Sequence, residues 1–298
     1  MRSLILAAAD DPRVRRFVGR YGMRLGAARF VAGETLDEAV PVLRGLNERG
    51  LAANTALLGE GVRDRAETET VVAAYEQVLD RLAAEGLRCN VAVKLTHLGL
   101  DIDEALAQAN LARLLDRAAT LGNTIRIDME QSAYVDATLR IYRALRTSGR
   151  DNVGCVLQAY LYRSEQDLEE LLPLAPNLRI VKGAYLEPPE LAYPRKADVD
   201  AAYARLLERA FAGDGYTAVA THDERLIDHA LGLGRERDRF ELQMLYGVRP
   251  GLQVDLAARG LTVRIATPYG PEWYPYLMRR LGERPANLLF LARNLLRN

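Results

Sequence analysis

The sequence of 298 residues has few of the residues that build disulfide and metal sites: two cysteines, three histidines and one tryptophan. Cys89 and Cys155 both lie inside apolar runs, which argues against a disulfide framework or a paired-cysteine metal site and predicts two core residues. His97, His222 and His229 have no carboxylate at metal-ligand spacing, so a zinc hydrolase is disfavoured. We therefore predict no metal site.

The sequence also lacks an excess of charge of either sign and lacks long apolar runs. Lys and Arg number 40 and Asp and Glu number 40, so no bulk charge indicates nucleic acid as a partner. No apolar run reaches the roughly 18 residues that span a membrane, and the start, MRSLILAAADD, is too brief in its apolar part for a cleaved signal. We expect a cytoplasmic protein, and the basic RVRR at 13–16 is a weak indication of peripheral contact with the membrane's inner face.

Two common catalytic motifs are missing as well. Without GxSxG a Ser-His-Asp hydrolase is disfavoured, and without GxGxxG a nucleotide cofactor would not be held in Rossmann fashion. What is present is 49% hydrophobic and 27% charged residues, the composition of a globular protein with a sizeable core.

From residue 52 onward, short β-rich runs alternate with longer segments of helical period. Eight candidate strands cover 52–59, 88–96, 123–130, 153–160, 178–185, 216–222, 240–245 and 261–267. Candidate helices cover 64–86, 102–121, 132–147, 164–173, 197–213, 223–233 and 250–259, with N-caps expected at Asp103 and Ser164. This alternation predicts a (β/α)8 barrel, with a doubly wound open sheet as the alternative.

Both ends of the chain depart from the repeat. Residues 1–50 are predicted to form an N-terminal helical segment with Thr35 as an N-cap, and residues 51–298 the barrel domain. A helix with the neighbouring Arg279 and Arg280 follows the last strand and begins at the barrel mouth. We therefore predict an α/β protein, a (β/α)8 barrel with extra N-terminal helices and a C-terminal helix at its mouth.

Polar side chains lie within the predicted strands or at their carboxyl ends, where a parallel strand is usually apolar. They are Lys94, Asp128, Gln158, Arg179, Lys182, Thr221, His222, Glu241 and Gln243. An ion pair inside the barrel explains any one of them equally well, but their convergence on one mouth favours an active site. Lys94 or Lys182 could form a Schiff base, which keeps a barrel lyase or aldolase as an alternative.

Two local features indicate ligands. The guanidiniums of Arg279 and Arg280 suit a carboxylate held by parallel hydrogen bonds, which indicates a carboxylic acid substrate, with a solvated helix face as the alternative. The step Lys182-Gly183-Ala184 places a cation beside minimal side chains, so its backbone could approach a phosphate or a planar ring.

Eight segments in order resemble the FAD-dependent proline dehydrogenases, in their stand-alone bacterial form. They are LLGE (57–60), VAVKLTHLG (91–99), IRIDME (125–130), LQAYL (157–161), RIVKGAY (179–185), ATHD (220–223), FELQMLYG (240–247) and YPYLMRRLGERPAN (274–287). The resemblance implies a distorted barrel that binds FAD without a covalent bond and oxidises L-proline to 1-pyrroline-5-carboxylate by hydride transfer to flavin N5, the first step of proline catabolism. It also implies that the electrons pass to a membrane quinone.

The resemblance assigns the substrate side of the site. Arg279 and Arg280 would bind the proline carboxylate with help from Lys94, and Asp128 would pair with Lys94. Glu60 would form an ion pair with Arg279 that closes over the substrate and excludes water. Three side chains would line the pocket around the pyrrolidine ring, namely Tyr185, Leu245 and Tyr276.

The resemblance also assigns the cofactor side, with Asp128 and Arg179 as the catalytic residues. Arg179 would lie near the flavin N5 and O4 region, where a fixed cation stabilises charge on the reduced ring. The remaining contacts would be Met129 and Gln158 to the isoalloxazine, Lys182, Gly183 and Ala184 to the flavin and its chain, Thr221 and His222 to the phosphate or adenosine part, and Glu283 to the adenosine side.

One position departs from the family pattern. Where relatives commonly have tyrosine, the eighth predicted strand has Ala266 in VRIATPYG. The smaller side chain removes a wall beside the substrate ring, so hydroxyproline or a related cyclic amino acid is the alternative substrate to proline.

Overall fold

The structure, a computed structural model, describes residue 16, residues 22–23 and residues 26–283, the last three without their side chains. Parallel strands close into a barrel in the order β1 to β8. They are β1 Ala52–Leu57, β2 Cys89–Val93, β3 Ile125–Ile127, β4 Val153–Gln158, β5 Asn177–Val181, β6 Tyr216–Ala220, β7 Phe240–Leu245 and β8 Val263–Tyr269. Because β8 pairs with β1, in a register that joins Asn54 to Ala266, the (β/α)8 prediction is confirmed and the open-sheet alternative is wrong.

The helices follow the strands in alternation. They are α1 Leu36–Glu48, α2 Arg65–Ala84, α3 Glu104–Thr120, α4 Val135–Thr147, α5 Ser164–Leu171, α6 Lys196–Ala212, α7 Glu224–Gly232, α8 Pro250–Ala258 and α9 Trp273–Glu283. Each predicted helix is present with ends shifted by a few residues, as expected where helix termini are read from sequence. No helix in this part of the chain combines the length and the apolar character needed to cross a membrane.

The expected helix caps are confirmed at two positions and wrong at a third. Thr35 accepts a hydrogen bond from the N–H of Glu38 at 3.3 Å, and Asp103 accepts one from the N–H of Ala105 at 2.6 Å. Ser164 is instead the first helical residue of α5, and its hydroxyl donates to the carbonyl oxygen of Gln158 at 2.6 Å. A buried strand-end carbonyl that needs a donor takes the hydroxyl away from the helix N–H groups.

Side chains alternate between the two faces of the barrel strands. Those that point outward, such as Ile127, Ile180 and Leu242, are at most 1% exposed and join the core between strands and helices. Cys89 and Cys155 are also buried, so their assignment to the core is confirmed. The inward positions carry polar side chains, which form the floor of the site described below.

A second hydrophobic cluster holds α9 over the barrel mouth. Trp273 and Leu277 of α9 pack with Phe30 and Val31, which precede α1. Trp273 also donates its indole N–H to Glu34 at 2.8 Å. The segment before α1 therefore fixes the helix that carries Arg279 and Arg280.

Most of residues 1–25 lie outside the described residues. The boundary at 50/51 and the N-terminal helical segment therefore stay predictions, although α1 lies within that segment. Of the basic stretch at 13–16, only Arg16 is described.

Candidate active site

One cavity of about 800 Å³ opens at the carboxyl ends of the strands, beneath α9. In (β/α)8 enzymes this face holds the active site. The residues predicted from sequence that line it are Lys94, Asp128, Met129, Gln158, Arg179, Lys182, Gly183, Ala184, Tyr185, Thr221, His222, Gln243, Leu245, Ala266, Tyr276, Arg279 and Arg280. Glu60 reaches it through its contacts with Arg279 and Lys94. The side chain of Glu283 lies outside the described part of α9.

Cations gather at the α9 end of the cavity. Arg279 Nη1 lies 3.1 Å from Glu60 Oε1, and Lys94 Nζ lies 3.8 Å from Glu60 Oε2. The Arg280 guanidinium stacks over the Tyr276 ring, 5.3 Å from its centroid, in a cation–π contact. The expected Glu60–Arg279 ion pair is therefore present. Because the Glu60 carboxylate already lies between Arg279 and Lys94, this end of the cavity is suited to bind the carboxylate of a ligand.

Arg179 occupies the floor of the cavity and donates to three acceptors. They are Asp128 Oδ1 at 2.7 Å, Gln243 Oε1 at 2.6 Å and Asn54 Oδ1 at 2.9 Å. Burial lowers the pKa of Arg179, and the nearby Asp128 carboxylate opposes that effect. The expected pairing of Asp128 with Lys94 is wrong, because Asp128 faces the guanidinium across the barrel while Lys94 turns to Glu60.

A second buried ion pair lies deeper in the barrel. Glu241 and Arg264 are 2.8 Å apart, with Glu241 almost fully enclosed. Burial alone would raise the pKa of Glu241, but the Arg264 charge holds it below its ordinary value. Burial lowers the pKa of Arg126 to about 10, with a further lowering from Arg179. Arginines thus outnumber carboxylates among these inward-facing residues, which favours anions in the cavity above.

Lys182 lies at the opposite end of the cavity from α9 and is bound by two aspartates. Its Nζ is 2.5 Å from Asp200 Oδ1 and 3.2 Å from Asp223 Oδ2. Lys196 contacts the same two carboxylates. Schiff-base chemistry needs an amine that is free to attack a carbonyl carbon, whereas the Lys182 amine is held between two carboxylates. The arrangement therefore speaks against the lyase alternative at Lys182.

Gly183 is required for the backbone to pass beside Lys182. Its φ is +120°, and a Cβ there would lie 2.1 Å from Cδ1 of Tyr160. Only glycine combines this conformation with so close an approach to a ring. The neighbouring His222 accepts a hydrogen bond from the Leu245 N–H at 2.9 Å through Nε2, which fixes its ring at the cavity wall.

Several site residues escaped the sequence analysis. Asn54 lies in β1, where a buried polar residue in AANTAL was an available signal. Glu130 accepts bonds from the N–H and hydroxyl of Thr96, and burial raises its pKa. It ties the segment after Lys94 to the end of β3. Asp200 lies on α6, and no local signal pointed to its contact with Lys182.

The fold and the cavity define a class: a (β/α)8-barrel enzyme with a cluster of cations at its mouth beside a polar floor. Comparison with known proteins is more specific. The family model described as proline dehydrogenase matches residues 39–293. Proline dehydrogenase of Deinococcus radiodurans is 41% identical over 99% of this chain and 98% of its own length. Proline dehydrogenase 1 of Bacillus subtilis is 38% identical over 100% of this chain and 99% of its own length.

Solved structures agree with the fold. Proline utilization A from Bradyrhizobium japonicum, in a variant form, matches 95% of this chain with a TM-score of 0.75 and 25% identity. This chain spans 33% of that larger protein. The structure of proline utilization A from Bdellovibrio bacteriovorus inactivated by N-propargylglycine matches 94% of this chain and 38% of its own, with a TM-score of 0.79. The chain belongs to the proline dehydrogenase family.

Proposed function

We propose that this protein oxidises L-proline to 1-pyrroline-5-carboxylate with FAD as its cofactor. The observation that carries the proposal is the opposition, across one cavity, of a cationic end formed by Lys94, Arg279 and Arg280 to a floor that presents Arg179. A small amino acid whose carboxylate is bound at the cationic end would lie over a flavin ring bound above Arg179. Family membership supports the same reaction.

The lining residues fit a flavin nucleotide. Met129 and Val156 are apolar floor residues that suit a flat ring, and the Gly183 backbone lines the same cavity. Lys196 and Arg249 lie at the edge, where an anionic diphosphate would replace their present carboxylate partners, Asp200 and Asp223 for Lys196 and Glu224 for Arg249. We therefore assign FAD to this cavity, where its isoalloxazine supplies the hydride acceptor when bound.

Arg279 and Arg280 bind the substrate carboxylate, and Lys94 adds a third charge. Tyr185, Leu245 and Tyr276 enclose the pyrrolidine ring. Arg179, a cation in the cavity floor, would stabilise negative charge on a bound isoalloxazine ring.

We further propose that Glu60 is a gate. It already bridges Arg279 and Lys94 at 3.1 and 3.8 Å, so it closes the α9 side of the cavity. A side chain that is 35% exposed can swing outward as substrate enters. Its return restores the ion pair and keeps water from the reacting centre.

The proposed electron acceptor is a quinone in the membrane. The protein would reach it through a peripheral contact with the cytoplasmic face of the membrane. A two-electron carrier that regenerates the oxidised cofactor is needed for turnover. Reduction of a short-chain ubiquinone by the purified protein, dependent on L-proline, tests this step; turnover with soluble dyes but not with any quinone would refute it.

Hydroxyproline is the second candidate substrate, and Ala266 is the observation that favours it. Ala266 lines the cavity at the register position that pairs with Asn54 and Leu245. A methyl group here leaves space that a larger side chain would fill. Comparison of kcat/KM for L-proline and trans-4-hydroxy-L-proline, in the natural protein and in Ala266→Tyr, measures the preference; a strong preference for hydroxyproline in the natural protein would reverse the assignment.

The primary test is the visible spectrum of the purified protein before and after anaerobic addition of L-proline. We expect flavin bands that bleach. The matched variant Arg280→Met should keep the flavin bands and require far more proline to bleach them. A protein that stays colourless after reconstitution with FAD, or that is trapped by borohydride with a carbonyl substrate, would favour Schiff-base chemistry at Lys94 or Lys182.

A further inference from the structure

Two uncharged amides hold Arg179 in addition to Asp128. Arg179 Nε donates to Gln243 Oε1 at 2.6 Å, and Nη2 donates to Asn54 Oδ1 at 2.9 Å. Both amide side chains belong to residues that are only 3% exposed. An amide can present either its oxygen or its NH2 group, and only the oxygen accepts from a guanidinium. The hydrogen bonds to Arg179 therefore depend on the orientation of each amide group.

A further residue fixes each amide. The Nε2 of Gln243 donates to Glu241, two residues earlier on β7. The Nδ2 of Asn54 donates to Asn90 Oδ1 at 2.6 Å and to the Asn90 backbone carbonyl, which can only accept, at 3.4 Å. Glu241 accepts only, so it selects the NH2 group of Gln243. Rotation of either amide by half a turn would replace these attractive contacts with donor-to-donor and acceptor-to-acceptor contacts. Because both residues are only 3% exposed, such a mismatch costs free energy.

We propose that Gln243 and Asn54 are positioning residues, which fix the Arg179 guanidinium in the cavity floor. Glu241 and Asn90 act one step further away, by setting which atom of each amide faces the guanidinium. The proposal rests on the proposed function, in which Arg179 lies beside the flavin ring.

Asp128 alone would not hold the guanidinium in place. Its side chain is 29% exposed, and it takes only one of the guanidinium contacts. Without the amides, Arg179 is free to rotate toward that carboxylate and away from the ring. A displaced cation stabilises the added charge of the reduced ring less well, so the reduction potential of the bound flavin should fall. Arg279 and Arg280 are separate from this network and keep their own contacts.

The test is a double-mutant cycle on the reduction potential of the bound flavin. Gln243→Met removes the amide without changing charge and nearly preserves side-chain length, and Arg179→Met removes the cation. We expect Arg179→Met to lower the potential. Gln243→Met should shift the reduction equilibrium about tenfold, which is about 30 mV for a two-electron couple. In the Arg179→Met background, Gln243→Met should cause no further shift.

Thr55→Val is the matched control. Thr55 follows Asn54 on β1, is fully buried and donates its hydroxyl to the Thr267 carbonyl at 2.9 Å. Because neighbouring strand residues face opposite sides, this change removes a buried hydrogen bond without reaching the lumen. Thermal unfolding should show some destabilisation, and the potential should stay unchanged. If Gln243→Met does not fold, Asn54→Ser tests the same cycle through the other amide.

The possible failures are distinguishable. Equal shifts by Gln243→Met with and without Arg179 would overturn the inference, because the amide would then act on the flavin directly. No shift by Gln243→Met, or an equal shift by Thr55→Val, would also overturn it while leaving the proposed function intact. If Arg179→Met itself leaves the potential unchanged, the placement of Arg179 beside the flavin fails, and this inference fails with it.

Discussion

The two faces of the barrel strands are equally buried but chemically opposite. On β7, Leu242 and Met244 belong to the hydrophobic core, whereas Glu241 and Gln243 face the lumen. All four are at most 3% exposed. The outward face stabilises by removing apolar surface from water, and the inward face is stable only because its polar groups satisfy one another. Apolar packing and polar pairing thus alternate from one residue to the next along the strand.

Among the substitutions considered, Glu241→Ala on the inward face should lower the free energy of unfolding most. It leaves the Arg264 guanidinium buried, with Arg126 and Arg179 as neighbours and no carboxylate beside it. Removal of one partner of a buried ion pair costs about 4 kcal/mol. We expect the free energy of unfolding, measured by urea denaturation, to fall by about this amount. A loss below about 1 kcal/mol would mean that the pair contributes no more than a surface ion pair.

Leu242→Ala, one residue further along β7, removes apolar packing from the outward face. Leu242 is 1% exposed and lies in the main core, so its truncation removes apolar contacts and leaves a cavity. The free energy of unfolding should fall by about 3 kcal/mol. Unlike Glu241→Ala, this variant should keep the flavin potential of the natural protein. A changed potential would show that the two faces are not independent.

His97, in the turn that follows β2, extends the comparison to a buried titratable group. It packs edge-on against Tyr75 of α2, with ring centroids 5.9 Å apart. Burial lowers its pKa to about 4, with a smaller lowering from Lys94. Between about pH 4 and the ordinary histidine pKa near 6.5, His97 is protonated in the unfolded chain and neutral in the folded protein.

The contribution of His97 to the free energy of unfolding should therefore be fully present above about pH 6.5. It should fall by up to about 3 kcal/mol as the pH drops toward 4. Urea denaturation at pH 7 and pH 4.5 measures this loss, and His97→Gln should lose less between the two. Equal losses in both proteins would place the acid sensitivity elsewhere.

The sequence predicted the fold well because this alternation is local. Strands buried on both faces alternate with amphipathic helices, and that rhythm is visible without long-range information. The cavity lining also followed, because strand ends in a barrel converge whatever their exact register. Glycine at position 183 could be singled out for the same reason, since its backbone demand is local.

Pairing inside the lumen could not be read in this way. Whether Asp128 meets Lys94 or Arg179 depends on barrel closure and on side-chain reach across the lumen, neither of which leaves a local pattern. The contact of Asp200 with Lys182 depends likewise on how α6 docks against the end of β5. Ser164 failed as a cap because a tertiary acceptor competed for its hydroxyl.

Arg209→Ala should have the smallest effect. Arg209 on α6 and Glu169 on α5 form two hydrogen bonds, one of 2.8 Å, but both side chains are about half exposed. Water and salt screen such a pair, and its long side chains lose freedom in forming it. We expect no change in the free energy of unfolding beyond measurement error, in low or high salt. If Arg209→Ala instead destabilised as much as Glu241→Ala, enclosure in the lumen would not be what gives the inward pairs their weight.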